Sequence, residues 1–127
     1  ICSYAIMGHP HVFSRLDALD RDSWVISSLV VAELQFGLEK GQLTPRSHEA
    51  LSKFLGSAAV VPFDLAAAQE AATVRWELEA LGKPSGAVDQ MIAGHARALG
   101  ATLVSANTKH FRHVPGLSLE NWFEGDH

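Results

Sequence analysis

The stretch Ala87-Val88-Asp89-Gln90-Met91-Ile92-Ala93-Gly94-His95-Ala96-Arg97-Ala98-Leu99-Gly100-Ala101-Thr102-Leu103-Val104 decides the fold of this chain. Val88, Met91, Ile92, Ala96 and Leu99 recur at helical spacing and predict a helix with one core face, which Gly100 ends. Thr102-Leu103-Val104 follows as a short β-prone run with little polar alternation. A strand of that kind is covered on both faces, as in a parallel sheet sandwiched between helices.

The same alternation extends upstream. Ala67, Ala71, Val74, Leu78 and Leu81 form the clearest apolar stripe, a long helix capped by Asp64 and closed by the turn Gly82-Lys83-Pro84-Ser85-Gly86. Ala59-Val60-Val61 reads as a buried strand ended by Pro62. A helix is expected from Pro45 to Leu55, with Leu51 and Leu55 buried and Gly56 closing it. Trp24-Val25-Ile26 is a further strand, after which Ser27 and Ser28 are N-cap candidates for a helix through Lys40, with Gly41 as its stop. Val12, Phe13, Leu16 and Leu19 predict a short helix over 11–19, ended by the Asp20-Arg21-Asp22 loop. Strands alternating with helices imply right-handed crossovers and a three-layer α/β/α fold with a parallel central sheet, a single domain spanning 1–127. Ligands in such sheets bind at the carboxyl ends of the strands.

Composition narrows the function classes. A chain of 127 residues, 47% hydrophobic and 19% charged, suits one folded domain rather than a disordered segment. No apolar run approaches the roughly 20 residues that span a bilayer. The single cysteine, Cys2, allows neither an internal disulfide nor a cysteine-based zinc site, which fits a reducing cytoplasm. A formal charge of −4 gives no bulk attraction to nucleic acid, although carboxylates gathered around a bound cation would account for part of it. The pairs His9/His11 and His110/His113 lack the partners of a zinc site and read as surface histidines. GxSxG, GxxxxGK[ST] and GxGxxG motifs are all absent, which removes the serine hydrolase, P-loop and dinucleotide readings. Lys83, Lys109 and the other basic residues are scattered in sequence, and solvated surface is the default for each.

Three polar residues stand where a site at the strand ends requires them. Glu33 interrupts the apolar segment Leu29-Val30-Val31-Ala32-Glu33-Leu34, so it faces either solvent or a site that needs its charge. Asp89 lies in the first turn of its helix. The small residues Ala93 and Gly94 one turn on leave it free to reach a cleft, and stabilisation by the helix N-terminus is the plain alternative. Asn107 follows a strand and serves equally as a turn or cap residue.

Val31-Ala32-Glu33-Leu34-Gln35-Phe36-Gly37, the Asp89–Ala96 segment, the Gly100–Phe111 segment and Val114-Pro115-Gly116-Leu117-Ser118-Leu119-Glu120-Asn121-Trp122 change these odds. Together they resemble, in order and over nearly the whole chain, PIN-domain ribonucleases of the VapC kind, toxins of type II toxin-antitoxin systems. The resemblance implies Glu33 and Asp89 in an acidic cluster, as catalytic residues and metal ligands, with Asn107 where many relatives carry another aspartate. It implies Mg²⁺, with Mn²⁺ as a substitute, and metal-dependent hydrolysis of RNA phosphodiesters, transfer RNA being the family-weighted substrate. Asparagine adds a neutral oxygen but no charge to such a set. A homodimer and a cognate antitoxin lying across the active-site groove are further implied partners. In this family the first strand is central and ends in Asp-Thr-Asn immediately ahead of a segment like Ile1-Cys2-Ser3-Tyr4. The domain is therefore expected to be N-terminally incomplete, lacking that strand and its acid. Without that acid, a catalytically silent PIN-like interaction module is the alternative function.

Overall fold

The structure, a computed structural model, describes residues 4–6 and 20–122 of the chain. Strand β1 (Tyr4–Ile6) is followed by a 3₁₀ turn (Arg21–Ser23), β2 (Trp24–Ser27), α1 (Ser28–Glu39), α2 (Pro45–Ser57), β3 (Val60–Val61), α3 (Leu65–Ala80), α4 (Ala87–Leu99), β4 (Thr102–Val104), a second 3₁₀ turn (Thr108–His110) and β5 (Leu119–Glu120). The strands form one sheet in the order β3-β2-β1-β4-β5, every pair parallel. The predicted helix over 11–19 lies outside the described residues.

Adjacent residues in the strands point to opposite faces, and this builds two cores. Ala5 and Leu103 face Val30, Val74, Leu78, Ile92, Ala93 and Ala96 on one side. Ile6 and Val104 face Trp24, Ile26, Leu51, Phe54 and Trp122 on the other. The three-layer α/β/α architecture follows from that division.

Helix starts lie where Ser27, Pro45 and Asp64 predict them. Ser27 Oγ accepts from the Leu29 N–H at 3.1 Å, Thr44 Oγ1 from Ser47 at 3.2 Å ahead of Pro45, and Asp64 Oδ1 from Ala67 at 3.0 Å. Each side chain satisfies one of the backbone donors that a helix N-terminus leaves unpaired. Gly100, at φ +66°, ends α4 in the left-handed conformation that glycine adopts without a Cβ clash.

Several expectations need correction. Gly56 does not close α2, which continues to Ser57, and Phe54 joins Leu51 in the core with Leu55 partly buried against it. The strand read as buried at Ala59–Val61 is the two-residue edge strand β3, with Val60 exposed. Leu81 is the C-cap of α3 and is exposed. Val88 and Leu99 are also exposed, and the core face of α4 keeps the expected Ile92 and Ala96 and adds Gln90, Ala93, Gly94 and His95. Packing on both the sheet and α3 makes that face wider than a single aliphatic stripe suggests. Apart from these corrections, β1 holds the middle of the sheet and pairs with both β2 and β4.

Candidate active site

All five strands run the same way, so their carboxyl ends share one edge of the sheet. Helix α1 starts directly at the end of β2, and α4 runs into β4 through the two-residue connection Gly100-Ala101. That reversal returns the end of β4 to the level at which α4 begins. Asp89, in the first turn of α4, therefore meets the turn that follows β4: its Oδ2 lies 3.1 Å from His110 Nδ1.

Around Asp89 is a cleft of about 440 Å³, lined on one wall by Lys83, Pro84, Ser85 and Gly86 and on the other by Lys109, His110 and His113. The Asp89 side chain is 26% exposed, open enough to meet a ligand. Both walls are held from behind. Gln90 Nε2 donates to the Ser85 carbonyl at 3.0 Å, tying the first wall to α4. Ser105 Oγ accepts from the Asn107 N–H at 2.9 Å, and buried Phe111 anchors the second. Ser105 thus shapes the turn.

The other predicted site residues are distributed less closely. Asn107 is exposed at the start of the turn that carries His110 and makes no side-chain cap. Glu33, in the second turn of α1, is exposed, forms no ion pair with another described residue and does not line the cleft. Among the described residues no group of three or more His, Cys, Asp or Glu side chains converges to hold a metal. The donor types nevertheless suit Mg²⁺: two carboxylates and an amide oxygen are hard ligands, and this ion retains most of its waters, needing only one or two carboxylates. Ala93 and Gly94 do not clear space for Asp89. A Cβ on Gly94 would lie 2.5 Å from Ala71 Cα, so this glycine lets α3 and α4 touch backbone to backbone.

His110, read from the sequence as a surface histidine, is exposed, and what the sequence reading missed is its approach to Asp89. Its spacing from Asn107, one 3₁₀ turn, was the available signal, but the approach to Asp89 depends on the register between α4 and β4. His95, by contrast, is buried, and its Nδ1 is 2.8 Å from Ser27 Oγ behind the site. Burial lowers its pKa below 6.5, partly opposed by the charge of Asp64, so the neutral ring is favoured there.

A parallel α/β/α domain with an acid in a cleft at the strand ends has the architecture of a ligand-binding α/β domain. The chain belongs to the PIN-domain family, whose model matches residues 1–117. It is 38% identical over 122 residues to the tRNA(fMet)-specific endonuclease VapC of Shigella flexneri, covering 96% of this chain and 92% of that protein. It is 39% identical over 124 residues to ribonuclease VapC2 of Rickettsia felis, with the same coverage. The fold superposes on VapBC2 from Rickettsia felis bound to a promoter DNA fragment with a TM-score of 0.80 at 33% identity, covering 94% of this chain and 98% of that one. DNA-bound VapBC from Salmonella typhimurium gives 0.78 at 28% identity, covering 96% and 99%.

Proposed function

We propose that this chain is a Mg²⁺-dependent endoribonuclease toxin of the VapC type, acting on RNA phosphodiester bonds, with transfer RNA as the substrate class. The observation that carries the reading is Asp89, standing half-open in a cleft whose walls are basic, at the strand-end edge of a PIN domain. Glu33, Asp89 and Asn107 would hold Mg²⁺ or Mn²⁺. When bound, the ion supplies an activated water and stabilises charge on the phosphorane. The chain's own contribution is positional. Asp89 is fixed by the first turn of α4, His110 orients its carboxylate, and the neighbouring turns shape the opening through which RNA enters. Relatives named as endonucleases and solved as VapBC complexes support an RNA substrate and a cognate antitoxin partner. A homodimer and a cytoplasmic location complete the proposal, and among the described residues no helix is long and apolar enough to cross a membrane.

An RNA panel incubated with and without Mg²⁺, beside Asp89→Asn, tests this. Cleavage that needs the metal and falls away in the variant is expected, whereas equal cleavage by both proteins removes Asp89 from the mechanism.

One observation favours a second reading, a catalytically silent interaction module: no metal-holding cluster forms among the described residues. Titrating Mg²⁺ during thermal melting separates the two. A competent site raises the melting temperature as any ligand of the native state does, and no shift at millimolar Mg²⁺ selects the silent module.

A further inference from the structure

The basic residues that look scattered in sequence are not all scattered in space. Lys83 is set by the end of α3: Gly82 turns left-handed at φ +68°, and the Lys83 N–H returns to the Leu78 carbonyl at 2.9 Å. Lys109 sits in the Thr108–His110 turn, where the Phe111 and Arg112 N–H groups both donate to the Thr108 carbonyl, at 3.0 and 2.9 Å. Both lysines are exposed, and both line the Asp89 cleft, one from each wall.

Two further features make this cleft rich in donors. Helix α4 starts at Gly86 with no side-chain cap, so the amides of its first turn keep their partial positive charge. Ser85 Oγ is buried in the same wall without a hydrogen-bond partner among the described residues. Asp89 is the only carboxylate among the lining residues, and His110 is already beside it. In a chain of net charge −4, the cleft is thus a local reversal of sign.

Resting on the nuclease reading above, we propose that Lys83 and Lys109 are substrate-positioning residues that seat the RNA backbone, each engaging phosphate on its own side of Asp89. An RNA strand fits this arrangement better than a single small anion. Its successive phosphates can meet cations on two walls, while the bond between them is presented to the acid. Specificity for a base sequence is not built from such contacts, which fix register and orientation.

The experiment measures binding and cleavage separately. A fluorescent single-stranded RNA oligonucleotide is titrated in EDTA over a range of salt concentrations and cleaved in Mg²⁺, using wild type, Lys83→Gln, Lys109→Gln, the double variant and Lys53→Gln from α2. The double variant should bind about tenfold more weakly and reduce the slope of log affinity against log salt by about 1.4, roughly 0.7 per lost contact. Its KM should rise with kcat unchanged, and Lys83→Arg should restore the slope. Thermal melting should be unaltered, as expected for exposed side chains.

Unchanged affinity and slope in the double variant overturn the seat, as does an equal loss in Lys53→Gln or a wild type that binds no RNA. Expected binding losses in the double variant together with a wild type that cleaves nothing keep the seat and remove the nuclease reading. Cleavage by a double variant whose binding matches wild type does the reverse.

Discussion

Helix α4 carries a charged cluster at each end, and the two are built on opposite lines. Near the C-terminal end, Arg97 donates to Glu77 at 2.7 Å, to the Pro115 carbonyl at 2.7 Å and to Glu70 at 3.0 Å, with its side chain 15% exposed. Burial works to lower its pKa, but the hydrogen bonds to Glu77 and Glu70 together with their charges outweigh it, and the net shift is upward. Near the N-terminal end, Asp89 has one side-chain partner, His110, and opens on a cleft. The Arg97 cluster is complete and locks α3, α4 and the C-terminal loop together. The Asp89 cluster leaves capacity for something from outside. Charge alone does not mark a functional site; unfilled bonding capacity at the ligand-binding edge does.

The sharpest way to break this contrast is Asp89→Asn, which should lower RNA cleavage by roughly 100-fold or more while barely changing the melting temperature. A large loss of stability instead would make Asp89 a structural group like Arg97. Gly94→Ala comes next. It lies between the two clusters, where a Cβ meets Ala71 Cα at 2.5 Å, and should cost about 2 kcal/mol by urea unfolding. Arg97→Met should remove about 1.5 kcal/mol, because it strands two carboxylates that are only about one-third exposed, with kcat left near wild type. A fall in kcat larger than the fall in stability would show that the far end of α4 reaches the site.

The smallest effect is a pH slope from His95. Its folded pKa is lowered from 6.5, so the unfolded chain takes up the proton first. The associated stability is fully present above pH 6.5 and is lost as the pH falls through the folded value. Melting temperatures from pH 8 to pH 5, compared between wild type and His95→Gln, should show a shallower acid decline in the variant.

Much of the fold was legible because its signals are local. Ser27 and Asp64 cap helices, Pro45 opens one, Gly100 ends one, and the Ala67–Leu78 stripe packs as its spacing demands. Errors gathered where tertiary context decides burial. Val60 is β-prone but lies on an edge strand, and Val88 and Leu99 keep helical spacing but flank the packed face of α4. The candidate site divides in the same way. Asp89 was readable from its place in a first turn, and Glu33 from a charge within an apolar run. His110, Lys83 and Lys109 were not readable, because their meeting depends on how α3, α4 and β4 are set side by side.

Ser27 and Ser28 act on different parts of the chain although they are neighbours. Ser27 Oγ joins the Leu29 amide to His95 on α4, while Ser28 Oγ accepts from the Phe63 amide at 2.9 Å, on the connection between β3 and α3. Opening the start of α1 therefore releases bonds to two other segments in one event. Amide hydrogens at Leu29 and Phe63, distant in sequence, should exchange with solvent at matching rates, as members of one cooperative unit.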